Sequence, residues 1–89
     1  MRTAFVSFMA PAYTQDTVEV LKGIVSRTRD SLSPMGIKVM SEAGPVIDLS
    51  DVGGAISLIG AREFDFVAAL IPSWADPPMM INTLMPCLL

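Results

Sequence analysis

Apolar residues fall along this chain in two rhythms: short continuous runs, and longer stretches spaced three and four positions apart. The run from Thr3 to Met9, rich in aromatic and β-branched side chains and closed by Ala10-Pro11-Ala12-Tyr13, predicts a buried strand. Val18, Leu21, Ile24, Val25, Thr28 and Leu32 then recur at helical spacing, while Glu19, Lys22, Ser26, Arg29 and Asp30 fill the opposite face. That alternation predicts an amphipathic helix, started by Thr14 or Asp16 and stopped by Ser33-Pro34. Gly36 to Met40 predicts a second, shorter strand with Ile37 and Val39 on one face and Lys38 on the other, which suits a sheet edge. Gly44-Pro45 predicts a turn after it. Ser50-Asp51 predict the start of a second helix, whose stripe is Val52, Ala55, Ile56 and Ile59 and whose end is near Gly60. Gly53, Gly54, Ser57 and Leu58 give that helix a weak polar face, as expected for close packing or a partner. Phe64 to Ile71 predicts a third strand, apolar enough to be covered on both faces. Asp76-Pro77 then opens a last helix through Met79, Met80, Ile81, Leu84 and Met85.

The order β-α-β-α-β-α predicts an α/β fold of three layers, with a short parallel sheet and right-handed crossovers. With the strands in the order 2-1-3, it amounts to half of a Rossmann- or flavodoxin-like domain, which commonly has five or six strands. Residues 1–89 are thus expected to form a single truncated α/β domain. In open parallel sheets, ligands bind at the carboxyl edge, where the segments after strands one and three come together.

Composition adds two constraints. The chain is 52 % hydrophobic and only 17 % charged, more apolar than a small soluble monomer needs, so part of its surface is expected to be covered by a partner. Its net charge of −3, with six basic residues scattered along the sequence, leaves no footprint for nucleic acid or for anionic lipid. A single cysteine, Cys87, offers no internal disulfide, and seven methionines suit a reducing compartment, so a cytoplasmic location is expected. Met1-Arg2 and the apolar residues up to Met9, followed by Ala10-Pro11-Ala12, imitate a leader sequence, but the apolar stretch is short for one. No run approaches the roughly 18 apolar residues that a membrane span requires.

Candidate chemistry is sparse. The sequence has no histidine and no G-x-G-x-x-G after the first strand, where Met9 to Tyr13 stand instead. Gly53-Gly54 has no neighbouring Gly-Lys-Ser/Thr, so it is read as helix packing and not as a phosphate loop. Zinc lacks ligands. Glu42, Asp48, Asp51 and Asp76 fall near strand ends and could meet a hard cation, yet each has a simpler role as a helix cap, turn residue or solvated charge. No catalytic residue and no metal ligand is therefore assigned. Two residues are candidates for substrate binding. Tyr13 follows strand one and could offer its hydroxyl to a polyol or pack over the sheet edge. Trp74, the one tryptophan, leaves the end of strand three in Ile71-Pro72-Ser73-Trp74, where it could meet a ligand or serve as an interface or lid aromatic.

The first strand running into Ala10-Pro11-Ala12-Tyr13, and the third running through Phe64-Asp65-Phe66-Val67-Ala68-Ala69-Leu70 into Ile71-Pro72-Ser73-Trp74, resemble the amino-terminal domain of the L-fucose/L-arabinose isomerase superfamily. The likeness spans residues 2 to 86 as a pattern of elements, with one specific motif. It implies a fucose-isomerase-like aldose–ketose isomerase of carbohydrate metabolism, in which a divalent metal, usually manganese, is held by a later domain. This chain would contribute oligomer contacts and substrate contacts to a neighbouring subunit's sugar site, Trp74 taking the role of the family's Pro-x-Trp tryptophan. By itself it would be inactive. Two departures bear on the substrate: the fucose isomerases carry an arginine near the end of strand one, where this chain has Ser7-Phe8-Met9, and the loop Ala75-Asp76-Pro77-Pro78 differs. The alternative from another class is a free-standing α/β module, without catalysis, that assembles with itself or binds a small molecule.

Overall fold

A computed structural model describes residues 1–11, 13–72 and 77–88. Three strands, β1 (Arg2–Phe8), β2 (Lys38–Val46) and β3 (Phe66–Leu70), alternate with three helices, α1 (Gln15–Asp30), α2 (Leu49–Gly60) and α3 (Pro77–Leu88). The sheet is wholly parallel, in the order β2-β1-β3, as the element order predicts. β1 is central because it alone is apolar on both faces: Ala4, Val6 and Phe8 point to one side and Phe5 to the other, each nearly or fully buried. Leu21 and Val25 of α1 pack with Phe5 and Met9 on one face, joined by Tyr13, Ile24 and Leu32. Ala55 and Ile59 of α2 pack with Val6, Phe8 and Val46 on the other, where Met80, Leu84 and Cys87 of α3 join them. Three layers result.

Thr14 is the residue that starts α1; its side chain accepts the Thr17 N–H at 3.3 Å. Ser33-Pro34 stops the helix as expected, and residues 33–35 form a single 3-10 turn that closes on Gly36 at φ +80°. α2 starts two residues earlier than the sequence suggests. Asp48 is its cap, accepting from the Ser50 N–H at 2.9 Å, while Asp51 accepts the Ile47 and Asp48 N–H groups. Both acids thus compensate the helix's unpaired amides.

Two strands depart from their predicted form. β2 does not end at Met40; it runs through Gly44 and Pro45 to Val46, so Gly44-Pro45 is part of a strand and not a turn. A proline is tolerated there because β2 is an edge strand and its register against β1 shifts twice, between Thr3 and Ala4 and between Val6 and Phe8. Glu42, expected in a loop, accordingly lies within β2, where it receives Arg29 at 3.1 Å. β3 is shorter than 64–71 and is not covered on both faces: its residues are half-buried and Ala69 is exposed. It is the other edge, and α1, standing over the far side of β1, reaches only Ala68 and Leu70 of it. Asp65, just before β3, accepts both the backbone N–H and the guanidinium of Arg2, at 2.9 and 3.0 Å, and ties the two strands together at their amino ends.

Candidate functional site

The carboxyl edge of the sheet is where the strand order concentrates opportunity. β1 and β3 lie side by side, yet α1 leaves β1 on one face and α3 follows β3 on the other. In open parallel sheets ligands bind at such a divergence. Met9, just beyond β1, is buried, and its N–H donates to the Val46 carbonyl at 3.1 Å. Tyr13 stands at the junction of β1 and α1, half-buried against the cluster of Phe5, Met9, Leu21 and Val25. The Thr14 hydroxyl beside it is engaged in the helix cap and donates to the Thr17 hydroxyl at 3.0 Å. Trp74 lies outside the described residues, as does Asp76; by chain position Trp74 comes four residues after the last residue of β3.

The carboxylates of β2 and of the start of α2 each have a partner. Asp48 and Asp51 form the cap of α2, and Glu42 is paired with Arg29. Hydrogen bonds from the Ser50 hydroxyl and backbone N–H hold the Asp48 carboxyl below the usual carboxylate range. No group of three or more His, Cys, Asp or Glu side chains is gathered among the described residues. Cys87 is half-buried in the α2/α3 layer and its thiol donates to the Thr83 carbonyl at 3.3 Å, while burial raises its pKa. That setting disfavours the thiolate.

Hollows lie elsewhere, one of them of about 250 Å³ between Gly44-Pro45 of β2 and Ser50, Gly54 and Leu58 of α2. A groove of about 410 Å³ is lined by Arg29, Asp30, Ser33, Gly36, Ile37, Lys38 and Val39, at the end of α1 and the start of β2. This is the amino edge of the sheet, and Arg29 is already bridged to Asp30 and Glu42 at 3.1 Å each. A smaller hollow of about 160 Å³ between α1 and β2 brings Lys22 and Glu42 near Ser7 and Ser26. Its size suits solvent better than a sugar.

The exposed acids carry a pH signature. Hydrogen bonds from the Arg2 side chain and backbone lower the pKa of Asp65, as those from Ser50 lower that of Asp48. A carboxyl depressed in the folded state contributes stability above its unfolded pKa near 4 and loses it as pH falls through the folded value. Thermal melts are therefore expected to drop as pH falls below about 4. Asp65→Asn should be less stable than the parent at neutral pH and melt with a shallower acid slope, the two converging in strong acid. An unchanged slope would show that the Arg2–Asp65 contact makes no net contribution.

The fold is that of a small parallel α/β protein whose helices leave the carboxyl ends of β1 and β3 on opposite faces of the sheet. Among the described residues no helix is long and apolar enough to cross a membrane. No protein-family model matches the chain, and neither a curated protein nor a solved structure matches it.

Proposed function

We propose that this chain is a non-catalytic α/β domain of the fucose/arabinose-isomerase kind, which lends sugar contacts to an aldose–ketose isomerase. What supports this reading is the strand order, which sets the carboxyl ends of β1 and β3 side by side, with Tyr13 following β1 and Trp74 following β3 in the sequence. An aromatic face and a phenol are suited to a sugar: the face packs on C–H groups and the phenol bonds to hydroxyls. Manganese and the acid–base groups of such an enzyme come from residues beyond these, in a homo-oligomer of the cytoplasm. The substrate is an aldose for which no arginine at the end of β1 is required, since Ser7-Phe8-Met9 occupies that place.

Calorimetric titration of the chain with a panel of pentoses and hexoses tests this. Saturable binding of at least one aldose is expected, weakened on the order of tenfold by Trp74→Ala, which removes a stacking face. Tyr13→Phe removes one hydrogen bond and should weaken binding by about two- to tenfold. Absence of heat with every sugar would overturn the sugar-contact role. Turnover of an aldose by the 89-residue chain with manganese would overturn its non-catalytic character.

A further inference from the structure

β1 and β2 fall out of step near their carboxyl ends. Val6 pairs with Ala43 and Phe8 with Val46, so a single residue of β1, Ser7, stands against two of β2, Gly44 and Pro45. Bulges of this kind re-aim side chains and gather beside functional sites. Ser7 lies between Phe5 and Met9, which pack on α1, and strand alternation sends its side chain to the same layer. It is 1 % exposed, and it lines the hollow of about 160 Å³ that Lys22 and Ser26 of α1 share with Glu42, Gly44 and Pro45 of β2.

Among the described residues the Ser7 hydroxyl has no hydrogen-bond partner. Gly44 has no side chain to offer one, and Pro45 has no N–H. A Cβ at Gly44 would fall 2.7 Å from the hydroxyl oxygen, so the glycine leaves that oxygen uncovered on the side of β2. Burying a hydroxyl costs free energy unless something bonds it, and alanine would fill the same place without that cost. The partner missing inside the chain has to come from outside it. The charges around the hollow select its sign. Glu42 is engaged by Arg29 Nη1 at 3.1 and 3.3 Å, whereas Lys22 takes part in no ion pair among the described residues, so one positive charge is left uncompensated.

We propose that this hollow binds a small monoanionic carboxylate with a neighbouring hydroxyl, a 2-hydroxy acid of two or three carbons. Its carboxylate accepts from the Ser7 and Ser26 hydroxyls and lies against the Lys22 ammonium. Its hydroxyl donates to Glu42, whose oxygens keep lone pairs after receiving Arg29. At about 30 Å³ for each water-sized group, the hollow has room for about five or six non-hydrogen atoms, which admits glycolate or lactate and excludes a pentose. One free cation beside an anionic Glu42 suits a single negative charge better than the two of phosphate. The hollow lies on the β2 side of β1, whereas the sugar reading concerns the β3 side, so neither depends on the other.

Titration of the full chain with sodium glycolate, followed by amide chemical shifts at constant ionic strength, tests the proposal. Saturable shifts around Ser7, Lys22 and Gly44 are expected, with a Kd on the order of 1 mM. Lys22→Gln should weaken binding about tenfold, while Lys38→Gln, the same charge change at the other end of β2, should alter it less than about twofold. Ser7→Ala should weaken binding about two- to tenfold and melt no lower than the parent, since it removes a hydroxyl that nothing in the chain bonds. Shifts that do not saturate, or that chloride reproduces at equal ionic strength, would mean an adventitious ion only and overturn the site. Equal losses in Lys22→Gln and Lys38→Gln, or a Ser7→Ala protein that melts lower, would overturn it as well. Tighter binding of inorganic phosphate or glycine at the same amides would overturn the hydroxy-acid class.

Discussion

Gly44→Ala is expected to leave little folded protein at physiological temperature. Gly44 sits in β2 at φ +105°, a conformation that side-chain-bearing residues rarely adopt. It also lies directly against β1: a Cβ there would come within 2.5 Å of the Ser7 carbonyl oxygen and 2.7 Å of its hydroxyl. Ser7 is buried in the middle of the sheet, so its backbone cannot retreat without breaking the β1–β2 ladder. Steric overlap and backbone strain add, and we expect a loss on the order of 4 kcal/mol. In a chain of this length that is a large share of a total of roughly 5 to 13 kcal/mol, and it corresponds to a fall in Tm of about 15 to 30 °C. Gly53→Ala supplies the contrast. It is exposed within α2, a Cβ there meets nothing within 4 Å, and it should gain about 0.5 to 1 kcal/mol from helix propensity. Melting curves at one protein concentration decide both, since self-association would make Tm depend on concentration. A Gly44→Ala protein within a few degrees of the parent would mean that β2 bends away from Ser7.

Periodicity made the helices and the strand order legible, and the reasons lie in particular residues. Leu21 and Val25 are buried where the three- and four-residue spacing puts them, because α1 has charges on every other face. Gly44-Pro45 reads as a turn because glycine next to proline commonly marks one, and only the positive φ and the close contact with Ser7 explain a glycine inside this strand. The exposure of β3 was illegible for a different reason. A continuous apolar run reports that a strand is to be covered, but not whether the cover comes from the same domain. At the candidate site, the sequence located the carboxyl edge and Tyr13 at the β1–α1 junction. It named Thr14 and Asp16 as alternatives for starting α1, of which Thr14 is the cap, but it did not reveal that Asp48, and not Ser50, starts α2, because several neighbouring polar residues were equally competent to cap. The Arg2–Asp65 contact, spanning 63 positions, has no local signal at all.

Phe8→Ala is expected to have a comparable effect by a separate route. Phe8 is fully buried at the last position of β1, pairs with Val46 of β2, and belongs to the cluster that includes Ala55 and Ile59 of α2 and against which Met80 and Leu84 of α3 pack. It is the largest buried side chain of that layer. Truncating it removes the transfer energy of the ring and leaves a cavity whose walls are set by three elements that cannot all move inward. Losses of about 3 to 5 kcal/mol are typical of such sites, equivalent here to about 15 to 30 °C in Tm. Phe8→Leu keeps most of the volume and should cost less than about 2 kcal/mol. The pair separates packing from strain. If the loss came from a strained backbone at the end of β1, both variants would melt alike; if it comes from the cavity, stability should follow the side-chain volume restored. Met9 and the Tyr13 junction come directly after Phe8, so an alanine there should also loosen the wall of the proposed sugar crevice, weakening sugar binding even under conditions where the variant stays folded. Sugar affinity that is unchanged in folded Phe8→Ala would show that the crevice is held from the α1 side alone.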